Sequence, residues 1–440
     1  MKSNHFIRLI ATTVLFVLVN IDSTYSQLST GKTIDYSFAV VGCVRANPAD
    51  TTGVPSTANV CEVNRLFTEV MGLVPQPDFL FLTGDLVYNY TGDTIALARQ
   101  LKGWLKLYTS HPISSTSIQL IAIPGNHEFE NASKGKTSYA AAERTWVRIM
   151  ASYILGNNGP IPGQNPEDSI QSNQRQLTYS FNHKSDHFVV FNTDPTGWDA
   201  HVPSAWVNAD LQSARKNKAR HLFCFGHKPA YPSSLTPEDG LAPNNASLLW
   251  SVLEANKCEA YFSAHNHLWD KIQPAPGKTW QIIAGNGGSA PEKPWTNPYF
   301  GFTLVSIFND SSLSIKSYGH PITPSTYTLC LPNVPTKVQD SLFISSSLLS
   351  VNNIPNLNES FSVYPNPSRG SFNISLNLQA ETTLLLKITG IDGKLVHAET
   401  LSPKTGNTIY SIPTGGYAKG VYILELNNGL KIAQRKIVVK

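Results

Sequence analysis

An α/β domain of two packed sheets flanked by helices, followed by a small all-β sandwich, is the architecture that the sequence predicts. Three observations carry it. From about residue 35 to residue 320, short apolar runs alternate with helical patterns, as in βαβ units. After His265 the strand-like runs follow one another without helices. After residue 361, short alternating strands are separated by turn signals, the pattern of a small sandwich. The chain has 440 residues, which suits two or three domains, and its 41% hydrophobic content supplies a sizeable core.

Residues 1–26 read as a secretory signal peptide. Lys2 and Arg8 give the positive start, Leu9–Val19 is an apolar run broken by Thr12 and Thr13, and Thr24 and Ser26 offer small residues for cleavage. The run is short for a membrane span, so export with cleavage is expected rather than anchoring. No later stretch is apolar enough to cross a bilayer. The expected address is therefore secretion or the cell surface by way of the periplasm.

Residues 33–320 form the expected α/β domain. Strands are expected at Ser37–Val41, Phe79–Thr83, Leu120–Ile123, Leu177–Phe181, His187–Asn192, His221–Phe225, Ala260–Ser263, Gln281–Ala284, Thr303–Phe308 and Ser314–Tyr318. Helices are expected at Cys61–Leu73, Thr94–Leu105, Ser138–Met150, Ala209–Lys216 and Ala246–Ala255. In the first, Val63, Leu66, Phe67, Val70 and Met71 recur at helical spacing. The Gly-, Pro-, Asn- and Gln-rich stretch 156–176 reads as a loop bordering the site, and 231–245 is similar. Prolines and serines make 321–360 a linker. Residues 361–440 are the sandwich, with turns at Asp392-Gly393, Gly415-Gly416 and Asn427-Asn428-Gly429.

The 34 basic and 30 acidic residues give a net charge of +4, too little to argue for nucleic acid or a membrane surface. The five cysteines, Cys43, Cys61, Cys224, Cys258 and Cys330, contain no C-x-x-C pair, so a zinc ribbon is not expected. An exported chain permits disulfides, and the odd count leaves at least one thiol outside any intramolecular pair.

Polar motifs sit where strands should end. Gly84-Asp85, Gly125-Asn126-His127-Glu128, Gly226-His227 and Ala264-His265-Asn266-His267 each follow a short apolar run. Ligands in open α/β sheets gather beyond strand carboxyl ends, and oxygen and imidazole donors gathered there suit a metal. Asp85 reads as a carboxylate that bridges cations or as a helix N-cap. Asn126 offers an amide oxygen, His127 a ring facing substrate, and Glu128 a carboxylate to orient that ring. His227, His265 and His267 supply imidazoles that converge on metal. The residues point to a metal-dependent hydrolase.

These four motifs, in this order, resemble those of the calcineurin-like metallophosphoesterase family over about residues 35–320. Gly84-Asp85-Leu86-Val87-Tyr88, the Glu in Gly125-Asn126-His127-Glu128, and the glycine-rich 282–288 resemble the purple acid phosphatase branch. The resemblance implies a four-layer α/β/β/α sandwich and two divalent or mixed-valence metal ions (Fe, Zn or Mn). It implies that Asp85 bridges them, that Asn126, His227 and His265 hold the second, and that His267 with Tyr88 holds the first. It gives His127 the role of protonating the leaving group or steadying the phosphoryl oxygens. One motif departs: the family's first-strand aspartate is replaced by Cys43, in Val41-Gly42-Cys43-Val44-Arg45. Cys43 is then a thiolate ligand or a core residue, Arg45 is a phosphate-gripping cation, and the metals number two or only one. The implied activity is hydrolysis of phosphomonoesters, with phosphodiesters or nucleotides, or metal-dependent binding without catalysis, as alternatives.

The C-terminal segment carries Tyr364-Pro365-Asn366-Pro367, Gly370, Asp392-Gly393-Lys394, Gly420-Val421-Tyr422-Ile423 and a lysine-rich end. These resemble the type IX secretion sorting domain, an immunoglobulin-like sandwich without catalysis whose partner is the secretion machinery.

Overall fold

The structure is a computed structural model that describes residues 32–46, 57–131, 134–135, 137–274, 277–331, 334–345, 361–378, 383–390, 394–427 and 432–440. The expected signal peptide 1–26, most of the end of the expected linker, and the turns at Asp392-Gly393 and Asn428-Gly429 lie outside the described residues. The chain divides into two compact units after Ile344.

The first unit runs β1 (Ile34–Val41), α1 (Val60–Met71), β2 (Phe79–Thr83), α2 (Thr94–Ser110), β3 (Gln119–Ile123), α3 (Asn126–Phe129), β4 (Glu130–Asn131), β5 (Thr137–Ser138) and α4 (Ala140–Met150). It continues β6 (Tyr179–His183), β7 (Asp186–Val190), α5 (Ser204–Lys216), β8 (Leu222–Phe225), α6 (Pro243–Ala255), β9 (Ala260–Ser263), β10 (Trp269–Ile272), β11 (Trp280–Ala284), β12 (Tyr299–Phe308), β13 (Leu313–Pro321) and β14 (Lys337–Ile344). Two six-stranded sheets result, in the orders β14-β13-β12-β1-β2-β3 and β10-β11-β9-β8-β7-β6. Within them β1, β2 and β3 are parallel, as are β7, β8, β9 and β11.

Alternation along each strand builds four layers. In β1 and β2, Phe38, Val40, Phe79 and Phe81 face one core while Ala39, Val41, Leu80 and Leu82 face another. The first core, shared with Phe188, Phe223, Phe225 and Phe262 of the second sheet, lies between the sheets. The second receives Phe67, Leu101, Trp104 and Trp146 from α1, α2 and α4. On the far side, Leu222, Cys224 and Tyr261 pack with Val207, Leu211, Leu249 and Leu253 of α5 and α6. This is the α/β/β/α sandwich. Its centre is aromatic: Phe81 stacks on Phe225 with ring centroids 4.0 Å apart and meets Phe38 edge-on at 5.5 Å. Phe81→Ala is expected to cost about 3–5 kcal/mol in a denaturant titration, as large-to-small changes in closed cores do; a loss under about 1 kcal/mol would mean that the two sheets do not share this core.

The linker expectation needs correction. Lys337–Ile344 pairs with β13 as an edge strand, so only the stretch after Ile344 lies beyond the first unit. The preceding segment is pinned as well. Cys330 is disulfide-bonded to Cys61 at the start of α1, and Arg65 donates to the Leu331 carbonyl at 2.8 Å. Edge strands show weak signatures because one backbone edge and much of their side-chain surface stay solvated. β10, with Asp270 and Lys271, went unforeseen for the same reason. Cys43, Cys224 and Cys258 are buried free thiols.

The second unit consists of β15 (Phe361–Tyr364), β16 (Ser371–Leu378), β17 (Leu384–Gly390), β18 (Leu395–Leu401), β19 (Gly406–Pro413), β20 (Gly420–Asn427) and β21 (Ile432–Val439). They form sheets in the orders β15-β16-β19 and β18-β17-β20-β21 around one core of Phe372, Ile374, Leu376, Leu384, Leu386, Ile388, Leu424 and Leu426. It is the expected all-β sandwich.

Candidate metal centre

The carboxyl ends of the parallel strands of both sheets meet at one edge. The Gly42 N–H, just past β1, donates to the Ala284 carbonyl at the end of β11 at 2.8 Å, and the Ala264 N–H after β9 donates to the His227 carbonyl after β8 at 2.8 Å. The crossing leaves no room for side chains at two glycines. A Cβ on Gly84 (φ +88°) would meet His227 Nδ1, and one on Gly125 would meet Asp85 Oδ1. Three motif residues turn here in the left-handed region: Cys43 (φ 54°), Asp85 (φ 57°) and His265 (φ 65°). Each such residue costs of order 1–3 kcal/mol and persists only where its surroundings hold it; such residues cluster at functional sites.

Four expected ligands converge. His227 Nε2 lies 3.2 Å from Asp85 Oδ1, 3.0 Å from Asn126 Oδ1 and 3.1 Å from His265 Nδ1, which is itself 3.1 Å from Asn126 Oδ1. Ligand bonds of about 2.0–2.1 Å in a tetrahedron place donors roughly 3.3 Å apart, so the spacing fits one borderline cation with little adjustment. The outer ring nitrogens are also provided for. His227 Nδ1 donates to the Thr83 carbonyl at 2.8 Å, and His265 Nε2 to Asp239 Oδ1 at 2.7 Å. These tautomers aim both inner nitrogens, as lone pairs, at the oxygens of Asp85 and Asn126. Four acceptors facing one another repel unless a cation or a proton sits among them. Burial favours a neutral His227, but the Asp85 carboxylate prevails and raises its pKa. Burial would likewise raise Asp85, yet His227 and Arg45 hold it well below the usual carboxylate range. The residues present therefore fit the second metal that the family resemblance implies.

The place of the first metal is different. Arg45 Nε donates to Asp85 Oδ2 at 3.0 Å, Arg45 Nη2 lies 3.3 Å from His267 Nε2, and the guanidinium carbon stands 5.2 Å from the centroid of the Tyr88 ring. His267 Nδ1 donates to the Ala290 carbonyl at 2.8 Å, so its Nε2 lone pair faces the arginine. Burial, then Arg45, pushes the His267 pKa down to about 3. Tyr88 thus presents its ring face to Arg45. Cys43 Sγ accepts the His265 N–H at 3.2 Å and lies with Asp85 and His227 donors in a group that spans no more than 4.8 Å. Burial pushes its thiol pKa well up, and Asp85 adds to that, so the neutral thiol is what the pocket favours. Cys43 Sγ stays within reach of an ion held by Asp85 and His227, whereas Arg45, set between Asp85, His267 and the Tyr88 ring, stands where an ion bound by His267 and Tyr88 would sit.

Two further expectations change. Glu128 does not orient the His127 ring. Its carboxylate accepts four backbone N–H groups, from Asp85 (3.1 Å), Leu86 (2.8 Å), Val87 (3.1 Å) and Gly125 (2.7 Å), and so clamps the turn that carries Asp85. Burial and then Asp85 push its pKa up to about 7, against which those hydrogen bonds act. The His127 ring is set instead by its Nδ1 on the Tyr88 carbonyl (2.6 Å) and by stacking on Tyr90 at 4.3 Å. Burial drives its pKa down to about 3, which favours the neutral ring with its N–H on Nδ1 and a lone pair on Nε2. Its Nε2 lies 4.0 Å from Asp85 Oδ2. Nearby, Lys228 is buried and paired with Glu130 at 2.9 Å and with Asp194.

The centre opens into a cleft of about 530 Å³ lined among others by Arg45, Tyr88, Asn126, His127, His265 and His267. The loop 231–245 contributes Asp239, whereas none of the lining residues comes from 156–176. Asp239, Tyr90 and Glu292, whose Oε1 accepts the His267 N–H at 3.1 Å, were not foreseen. Acids and tyrosines in loops are too common for their spacing to mark them.

Residues 57–268 match the model of the calcineurin-like phosphoesterase family, and residues 362–440 match that of the secretion system C-terminal sorting domain. A relative from Arabidopsis thaliana, described as probable inactive purple acid phosphatase 9, is 23% identical over 261 residues; the match covers 53% of this chain and 38% of the relative's length. A dimetal phosphatase from Danio rerio superposes with a TM-score of 0.46 at 14% identity, over 71% of this chain and 100% of that one. A purple acid phosphatase from yellow lupin (Lupinus luteus) seeds gives 0.47 at 15%, over 72% and 54%. The sorting domain marks the chain for secretion or the cell surface. With its motifs assembled at one sheet edge and this family model matching them, the chain carries a calcineurin-like phosphoesterase domain with a secretion-system sorting domain behind it.

Proposed function

We propose that the chain is an exported, metal-dependent phosphoesterase that hydrolyses small phosphomonoesters. One observation carries this reading: four metal donors converge beside a guanidinium and an imidazole at the end of a cleft of about 530 Å³, a size suited to a small molecule. A cation in the Asp85–Asn126–His227–His265 cage supplies Lewis acidity and a water of lowered pKa. Arg45 presents fixed positive charge to phosphoryl oxygens, where charge builds during displacement. His127, neutral in the free protein, offers Nε2 to the same group; a bound phosphate dianion favours its charged form and so opposes the effect of burial. Glu128, Asp239 and Glu292 hold the ligand-bearing segments in place. The sorting domain supports passage through the type IX secretion machinery, with residues 361–440 as the part recognised.

Turnover of p-nitrophenyl phosphate, against bis(p-nitrophenyl) phosphate and a nucleotide panel, tests the substrate class. Preference for the diester or a nucleotide would move the activity to that class. His127→Gln is expected to lower kcat by roughly 10²-fold or more with metal content unchanged; loss of metal along with activity would make the ring a structural element. The second reading, a protein that binds phosphoesters without cleaving them, is favoured by the hydrogen bonds of Arg45 to Asp85 and His267 and by the word "inactive" in the description of the Arabidopsis relative. Phosphate binding without turnover of any of these esters would establish it.

A further inference from the structure

We propose that Arg45 permanently takes the place of the first cation, so that this chain works with one metal ion and one guanidinium where its family resemblance implies two metals. The inference rests on the phosphoesterase reading for its use, but its geometry stands independently.

Asp85 shows the division of the site. One oxygen, Oδ1, belongs to the cage, 3.2 Å from His227 Nε2; the other, Oδ2, receives Arg45 Nε at 3.0 Å. A bridging carboxylate thus serves a metal cage on one side and an arginine on the other. The arginine then meets what the resemblance assigns to the first metal. It reaches the His267 Nε2 lone pair at 3.3 Å and lies against the Tyr88 ring. Its side chain is 12% exposed, so a metal ion entering here would have to expel a guanidinium held on three sides.

Charge balance explains why the arginine comes with Cys43. A trivalent or divalent ion is stabilised by several anionic ligands, whereas a guanidinium carries a single positive charge and five donors. With the first-motif carboxylate replaced by a buried thiol that accepts the His265 N–H, Asp85 is the carboxylate that Arg45 meets, and one charge answers one. The two departures, Cys43 and Arg45, are one exchange. It gives up a dissociable ion for a cation that is always present, and with it any Fe(III)–phenolate chemistry at Tyr88.

The experiment counts ions. The full secreted chain is stripped with a chelator, reloaded with excess Mn(II) or Zn(II), desalted and analysed for metal per chain. The expected count is one, and iron loading is expected to leave the protein colourless. The double variant Cys43→Asp/Arg45→Ala is expected to hold two ions, with a spin-coupled Mn(II) pair in electron paramagnetic resonance. Two ions in the unaltered chain, or none, overturn the proposal whether or not the variants fold. A folded double variant that remains at one ion overturns it too, because Arg45 would not then be what keeps the second ion out. Turnover is a separate readout: one ion without phosphoester hydrolysis supports the exchange and removes only the proposed activity.

Discussion

Replacing His227 with alanine should empty the metal cage and reduce p-nitrophenyl phosphate turnover to background while leaving a folded protein. The ring is fully buried, and its Nε2 is the atom common to Asp85, Asn126 and His265, within 3.0–3.2 Å of each. Removing a partner that merely orients a ligand costs about 10–100-fold in metal affinity, and removing a ligand should exceed that. The variant also relieves the facing lone pairs, so its stability without metal should fall less than cavity formation alone would suggest. Metal per chain after desalting, with a thermal melt beside it, checks the result. A variant that retains its metal would place the ion elsewhere and sink the cage.

Glu128→Ala is the second large effect, and it acts through the backbone. The fully buried carboxylate is the acceptor for the N–H groups of Asp85, Leu86, Val87 and Gly125. Leaving a buried donor unsatisfied costs about 1–3 kcal/mol each. Four at once approach the whole stability of an ordinary domain, about 5–15 kcal/mol. The left-handed turn at Asp85 also loses its clamp. We expect a fall of several kcal/mol in denaturant titrations and loss of metal together. Glu128→Gln, which keeps one acceptor oxygen, should fall between the two proteins. A Glu128→Ala protein as stable as the parent would show that water replaces the carboxylate and that the clamp does not hold the site.

The layers and the cage were legible in the sequence because both follow from periodicity and position. Alternating apolar runs such as Phe79–Thr83 can face two cores only if they are covered on both sides, and a glycine followed by a polar residue at the end of such a run marks where backbones crowd and ligands gather. Residues whose role depends on tertiary partners were not legible. Nothing local shows that Glu128 turns to backbone amides rather than to the neighbouring imidazole, or that Lys228 is buried between Glu130 and Asp194. Asp239 and Glu292 lie in loops whose conformation is set by the sheets they cross. Edge strand β14 failed for a simpler reason: its burial is partial, so its sequence keeps the polar character of a connector.

The tie between Cys61 and Cys330 has a consequence for how the protein matures. Tyr327 lines the cleft, and its carbonyl receives Asn59 Nδ2 at 3.1 Å, two residues before Cys61. The rim of the pocket is therefore fastened at a point that closes only where thiols oxidise. A chain still inside a reducing cell carries a mouth held by noncovalent contacts alone, and the finished entrance belongs to the molecule after it has left.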